Sequence, residues 1–418
     1  MNSPLIRLLD PVAATPQHRE RRPLGRLLVE RGLIKTEDVL TTLGHQRIND
    51  AQLGHLLIAQ DLITEKDLFE TLALQHDLPF LTRDIVPATL DLQQGLASHD
   101  LLRLGCVPWC TRDGATVLAT NSRNAFDDAR SLMPAHLHPL TQAIAPASEI
   151  TEVIRAYGDA HLAEHAEMLV PDELSCRSLP SQLRTLLCIA VPMLIIALTF
   201  QWLTFVGVYR AIFGFAIAMV CLGMAIKTIA ALIQIVERSR PTPEANPRPP
   251  RLPRVSLLIP LHDESEILNA LLQRIGMLTY PKPLLDVILI IEADDTATRT
   301  HLETATLPRW MRVLIVPPGK ITTKPRAMNY ALPFCSGEIV GIYDAEDAPH
   351  PEQVSEIVAM FATEPEETAC IQAVLDFYNA RSNALARFFA IEYATWFRLI
   401  LPGISRMGFA IPLGGTSV

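Results

Sequence analysis

Hydrophobic positions follow four successive patterns along the 418-residue chain. Up to about residue 78, Leu, Ile and Val recur at helical spacing, which predicts short amphipathic helices. From Leu78 to about Gly158, strand-like runs (Gly105–Pro108, Ala115–Ala119) alternate with helical stretches (Asn124–Leu132, Ala147–Tyr157), as in a compact α/β subdomain. From Thr185 to Val236 the only charged residues are Arg210 and Lys227. Beyond Arg254, strands at Val255–Pro260, Leu285–Ile291, Arg312–Val316 and Ile339–Tyr343 alternate with helices at Glu266–Leu278 and Pro325–Phe334. That alternation predicts a mostly parallel sheet.

The uncharged stretch is too long for one crossing. A single helix would rise roughly 75 Å, against a hydrocarbon core of about 30 Å. Two spans are expected, near Thr185–Phe205 and Ala211–Ile233, turning around Gly207–Arg210. Arg177 and Arg184 precede the first span, and Arg238, Arg240, Arg248, Arg251 and Arg254 follow the second. The turn carries only Arg210, so the positive-inside bias puts both large flanks in the cytoplasm. Lys227 would snorkel to the interface. The prolines from Pro241 to Pro253 stiffen a linker whose arginines could also touch anionic headgroups.

The helical front end repeats itself. Pro23–Gln46 aligns on Gln52–Gln75 at a constant offset of 29 residues, from Gly25 over Gly54 to Gln46 over Gln75. Each copy reads as helix, turn (Gly32 or Asp61) and helix, with Thr36 and Thr64 as expected N-caps. The apolar positions would form a small bundle core.

Composition excludes some classes. A net charge of −9 argues against a nucleic-acid binder. Seven scattered cysteines without a C-x-x-C pair suit reduced, partly buried thiols and a reducing compartment. The first twenty residues hold Arg7, Asp10, His18 and Arg19 without a continuous apolar run, so no cleavable signal peptide is expected.

The chemistry sits at the strand ends. Ligands on parallel sheets bind at the carboxyl ends of the strands. There lie Asp263 and Glu264, then Glu292, Asp294 and Asp295, then Asp344, Glu346 and Asp347. Asp344-Ala345-Glu346 offers two carboxylates to a hard cation, Mg²⁺ or Mn²⁺. Lys324, in a loop entering a helix, can meet a diphosphate as a point charge. Such a set suits a metal-chelated nucleotide diphosphate, whose departure needs that positive charge.

Two resemblances give these motifs a context. The tandem L-G-x-x-L-L…L-x-x-x-L-x-x-Q pattern over Arg22 to Gly158 resembles the N-terminal domain of type II secretion and type IV pilus assembly ATPases. In some of them it binds cyclic di-GMP. Carried over, that surface would include Arg22, Gly25, Leu28, Gly32, Gln46, Gly54 and Gln75. The opening arginine of each motif is Pro23 or Gln52 here, and the second turn glycine is Asp61. An assembly ATPase proper is excluded because Pro317-Pro318-Gly319-Lys320-Ile321 lacks the first glycine and the Ser/Thr of a phosphate loop.

From about Arg254 onward the chain resembles family 2 processive glycosyltransferases of the cellulose-synthase and hyaluronan-synthase type. The nearest subgroup is the one fused to a secretion-ATPase-like domain, which includes phage-adsorption inner-membrane proteins. The resemblance implies Pro260 and Glu264 at the nucleobase, an acid among Glu292, Asp294 and Asp295 at the uridine, and Lys324 at the diphosphate. It also implies Asp344 and Glu346 at the metal and Gly414, Gly415, Thr416 and Ser417 at the acceptor. Ala384–Leu401 reads either as an interfacial helix or as a buried one.

The expected fold class is α/β. Residues 1–20 are a tail, 21–160 the helical repeat with its small α/β subdomain, 161–184 a linker and 185–236 a transmembrane helical hairpin. Residues 237–253 are a Pro/Arg-rich linker and 254–418 a GT-A-like (Rossmann-like), mostly parallel sheet domain. The expected protein is a multi-pass bacterial inner-membrane enzyme with both large domains cytoplasmic. It would transfer sugar from a nucleotide-sugar donor, UDP-linked, to a glycan acceptor with inversion, under cyclic di-GMP control. The alternative is a non-catalytic receptor or scaffold of an envelope assembly. The family's E-D general base and Q-x-x-R-W segment do not occur before Val418, and His262 and Asp263 do not replace that base. The chain is therefore expected to be C-terminally incomplete.

Overall fold

The computed structural model describes residues 22–49, 52–171, 174, 179–200, 205–238, 251–264, 266–377 and 379–413. The front end holds α1 (Leu24–Glu30), α2 (Thr36–Asn49), α3 (Leu53–Ala59) and α4 (Glu65–His76). Then come α5 (Ser98–Leu104), β1 (Cys106–Arg112), β2 (Ala115–Thr120), α6 (Arg123–Arg130), β3 (Leu140–Ile144) and α7 (Ala147–Met168). Two apolar helices follow, α8 (Leu179–Phe200) and α9 (Phe205–Arg238). The last part holds β4 (Val255–Leu261), α10 (Leu268–Gly276), β5 (Leu285–Glu292), α11 (Thr296–Thr304), β6 (Met311–Val316) and α12 (Lys324–Ala331). It continues through β7 (Ile339–Ile342), α13 (Gln353–Phe361), α14 (Ala384–Thr395) and α15 (Leu401–Arg406). Among the described residues, those up to Met168 and those from 251 to Val358 form one compact unit, and the remainder a second.

The repeat folds as two interlocked copies. Arg31 at the end of α1 donates to Thr71 Oγ1 on α4 at 2.6 Å. Gln60 at the end of α3 accepts from Thr42 Oγ1 on α2 at 3.0 Å. These bonds are equivalent under the 29-residue shift, so each copy's first helix packs on the other copy's second. Leu28, Leu57, Leu68 and Ile63 fill the shared core. Thr64 caps α4 through a full capping box with Asp67, as expected. Thr36 does not cap α2, however; it is the first residue of that helix. The position equivalent to Thr64 is Lys35, whose N–H reaches Asp38 Oδ2 at 3.0 Å but which has no hydroxyl to return.

Behind the repeat, β1 and β2 pair antiparallel and β2 and β3 parallel around the fully buried Trp109. The third strand was not expected. The expected linker from residue 161 also gives way: α7 runs unbroken to Met168 because Leu162, Ala163 and Ala166 continue its apolar face. That face packs on Leu258 and Ile288 of the second sheet and on Tyr330 of α12.

The second sheet has the order β6-β5-β4-β7, with every pairing parallel. The chain lays β4, β5 and β6 outward to one side, then returns to place β7 against β4. The order of connection reverses at β4, which opens a crevice at its carboxyl end. One buried polar hub pins the amino-end side. Asp286 accepts from Ser256 Oγ at 2.9 Å, Ser336 Oγ at 2.7 Å and Arg312 Nε at 2.9 Å. Burial alone would raise its pKa, but Arg312 and these hydrogen bonds win and hold it at about 2.

In the second unit, Gly207–Arg238 within α9 is long and apolar enough to cross a membrane, and Thr185–Ile196 is a shorter apolar stretch. Gly207–Arg210 does not form the expected turn but lies inside α9, since Phe205 already starts the helix. Residues 201–204, between α8 and α9, lie outside the described residues. Lys227 lies 5.7 Å over the ring of Trp396. Gly403 abuts the Ala230 carbonyl so closely that a Cβ would sit 2.0 Å from it. Of the two readings of Ala384–Leu401, burial fails for α14, which exposes Leu385, Phe388 and Ile391. Phe397, Ile400 and Leu401 just beyond it are buried.

Candidate active site

A cavity of about 340 Å³ opens at the crevice between the carboxyl ends of β4 and β7. Its walls include Pro260 near the end of β4, His262 and Glu264 after it, Glu292 at the end of β5, Thr322 and Thr323 before α12 with Lys324 at its start, and Asp344 and Glu346 after β7. Five sequence-derived donor and metal candidates thus share one cavity with Pro260. Asp294 is exposed and is not among the lining residues.

Each side chain is held there for a local reason. After β4 the backbone turns through Asp263, whose φ of 57° is left-handed. Asp295 makes that turn possible by accepting the Asp263 N–H at 2.8 Å, while Thr298 Oγ1 accepts the Glu264 N–H at 3.1 Å. Asp295 also caps α11 through the Thr298 N–H at 3.0 Å. Asp295 therefore builds the loop, and Asp347 does the same for its own: its carboxylate accepts the Asp344 N–H at 2.9 Å. Arg274 of α10 anchors that loop by donating to the Glu346 carbonyl at 2.9 Å.

Thr323 caps α12, which makes Lys324 its first residue rather than a loop residue. Lys324 Nζ is ion-paired with Asp344 across the cavity. Glu264 is held above the usual carboxylate range by burial and by the facing charges of Glu346 and Asp263. Facing carboxylates of this kind are what a divalent cation relieves, and the oxygen donors suit a hard ion. The residues present therefore fit Mg²⁺ or Mn²⁺ at Asp344 and Glu346.

Glu292 lines the cavity but is already committed. Arg326 on α12, only 3% exposed in its side chain, donates through Nη1 to Glu292 Oε2 at 3.1 Å. Burial raises the Glu292 pKa, and Arg326 offsets this only in part. The sequence reading passed over Arg326, Thr322, Thr323, Thr298 and Arg274. A signal existed for the first: an arginine two residues beyond Lys324 falls on the inner face of the expected helix. Gly414, Gly415, Thr416 and Ser417 lie outside the described residues.

On the front domain, Gln75 Nε2 donates to the Arg22 carbonyl at 2.8 Å, which joins the first copy's start to the second copy's end. Arg22 is exposed, and Gln46 and Gln75 are half-buried. Leu28 is fully buried, and Gly25 and Gly54 lie beneath neighbouring side chains, so these three shape the surface from below. Gly32 takes the left-handed turn at φ 71°, and so does Asp61 at 56°.

Sheet order and the helices between the strands define a class, the parallel α/β domain with an acidic crevice at its strand ends. Residues 253–418 match the family model Glycosyltransferase like family 2. That stretch is therefore similar to the family whose resemblance the strand-end motifs carry. The Probable glycosyltransferase YdaM of Bacillus subtilis (strain 168) is 27% identical over 143 residues, 34% of this chain and 34% of that protein. The chain thus spans about a third of that relative's length. Among solved structures, MshE with cdg is 23% identical over 33% of this chain and 99% of that one, with a TM-score of 0.29. Mannosyltransferase PcManGT from Pyrobaculum calidifontis, in complex with GDP-Man and Mn²⁺, is 24% identical over 39% of this chain and 48% of that one, with a TM-score of 0.31.

Proposed function

We propose that the chain belongs to a membrane-anchored glycosyltransferase that takes a UDP-linked sugar with a divalent cation and passes the sugar to a glycan acceptor with inversion. The observation that carries this reading is the β4/β7 cavity, where Lys324 faces Asp344 beside Glu264 and Glu346. Asp344 and Glu346 would hold the cation, which when bound supplies positive charge to the leaving diphosphate. Lys324 would release Asp344 and turn to the diphosphate as a point charge. Pro260 and Glu264 would receive the nucleobase. No residue among those described is assigned as the acceptor's base.

Titration calorimetry of UDP with Mn²⁺ tests this. Asp344→Ala should weaken binding on the order of tenfold or more. Equal binding by the variant, or none by the wild type, would favour the scaffold reading instead.

Two finer readings attach to this. The apolar helices would form a hairpin in a bacterial inner membrane, with the arginines around it keeping both large domains cytoplasmic. The front domain would take cyclic di-GMP at its repeated motifs, with Arg22, Gln46 and Gln75 among the contacting residues, supported by the Gln75–Arg22 bond between the copies. Labelled cyclic di-GMP should bind the full chain and lose affinity with Arg22→Ala. Absence of binding would leave that domain a docking role.

A further inference from the structure

The ion cluster around Arg326 contains a member from the front domain. Glu167, one residue from the end of α7, has a side chain 10% exposed and sets Oε1 at 3.3 Å from Arg326 Nε. The same oxygen accepts the Lys320 N–H at 2.8 Å. Arg326 Nη2 donates in turn to the Pro317 carbonyl at 2.6 Å. The loop Pro317–Lys320 therefore lies directly on the Glu167–Arg326 pair. Gly319 shows how close it lies: a Cβ there would sit 2.2 Å from Arg326 Nη2 and 2.3 Å from Glu167 Oε1. Only a residue without a side chain fits this approach. Immediately after the loop come Thr322, Thr323 and Lys324, which line the cavity.

We infer that Glu167 is a positioning residue of the donor site, holding the lysine loop against the sheet from the front domain. Its carboxylate completes a buried cluster of one guanidinium between two acids, Glu292 facing the cavity and Glu167 facing the loop. Removing one partner of such a cluster leaves a buried charge and an N–H without their acceptor, which is costly and frees the segment they held. The same helix is anchored at its other end to the repeat, where Ser148 donates through its N–H and Oγ to Glu65 at 3.2 and 2.6 Å. A 22-residue helix is about 33 Å of stiff rod. It joins the second copy of the repeat to the lysine loop without an intervening hinge.

The inference rests on the donor reading of the same cavity, and the experiment separates the two. UDP with Mn²⁺ is titrated into the full chain and into Glu167→Ala, Glu167→Gln and Tyr330→Phe, while hydrogen exchange is followed over residues 317–324. Tyr330→Phe removes the Tyr330–Asp159 bond from the same helix interface without touching the loop. Glu167→Ala should weaken UDP about tenfold and speed exchange in the loop. Glu167→Gln keeps an acceptor for the Lys320 N–H and should restore most of the affinity. Tyr330→Phe should match the wild type. Unchanged affinity and exchange in Glu167→Ala would overturn the inference, as would an equal loss in Tyr330→Phe. If the wild type takes no UDP, the donor reading falls, and the exchange of the loop then decides by itself whether Glu167 holds it.

Discussion

Gly25 in the first copy of the repeat and Gly54 in the second meet the next helix alike. An added Cβ would lie 2.8 Å from Val39 Cγ1 in one and 2.7 Å from Leu68 Cδ1 in the other. The copies part at their outer positions. Arg26 is exposed and paired with Glu30, whereas its counterpart His55 is largely enclosed near Arg254. Leu27 is half-buried, whereas Leu56 enters the core of the second sheet. Gly32 turns freely, whereas Asp61 takes the same left-handed turn and is ion-paired with Arg309 just before β6. A non-glycine residue there costs roughly 1 kcal/mol, which the exposed ion pair offsets only in part. The comparison teaches that the inner positions preserve the fold of each copy, and that three outer differences turn the second copy toward the second sheet.

The largest way to break this asymmetry is pH. Burial, with Arg254 adding to it, lowers the His55 pKa to about 4 from its ordinary 6.5. Between those values the unfolded chain binds the extra proton, so stability rises with pH across that window. The difference amounts to about 3 kcal/mol between pH 4 and pH 6.5. Denaturant titrations should show that slope in the wild type and lose it in His55→Gln, with no comparable change for Arg26→Gln. An unaltered slope in His55→Gln would mean that the enclosure does not govern this proton.

Packing gives the next effect. Gly54→Ala and Gly25→Ala should each lose about 1–3 kcal/mol, read from denaturation midpoints. The first-copy change should be the larger, because β-branched Val39 has fewer rotamers with which to yield than Leu68. The reverse order would show that the copies are held by different forces.

Capping gives the smallest. Thr64→Ala should cost about 1 kcal/mol, and Lys35→Thr should gain about half of that by completing the capping box that Asp38 already begins. Thermal melts of the two variants should shift in opposite directions.

Much of this was legible in the chain. The 29-residue offset predicted paired helix–turn–helix units, because helical spacing and a left-handed turn residue are local properties. The apolar runs from Val255 predicted parallel strands, and the rule that parallel sheets bind ligands at their carboxyl ends drew Glu264, Glu292, Lys324, Asp344 and Glu346 toward one place. The cavity does gather them. The third strand at Leu140–Ile144 escaped notice because its partner β2 is a tertiary neighbour that no local pattern names.

The amino-acid order by itself determined which elements form and which end of the sheet is acidic, since periodicity and strand polarity are written residue by residue. Only the tertiary structure decided which acids remain for a ligand. It spent Asp295 and Asp347 on backbone N–H groups and bound Glu292 to Arg326, leaving Glu264, Asp344 and Glu346 around Lys324. It also turned an expected linker into the helix that carries Glu167 to the lysine loop. The physical reason is the same in each case. A buried charge or N–H must find a partner wherever folding brings one near, and those partners lie too far along the chain for spacing to reveal.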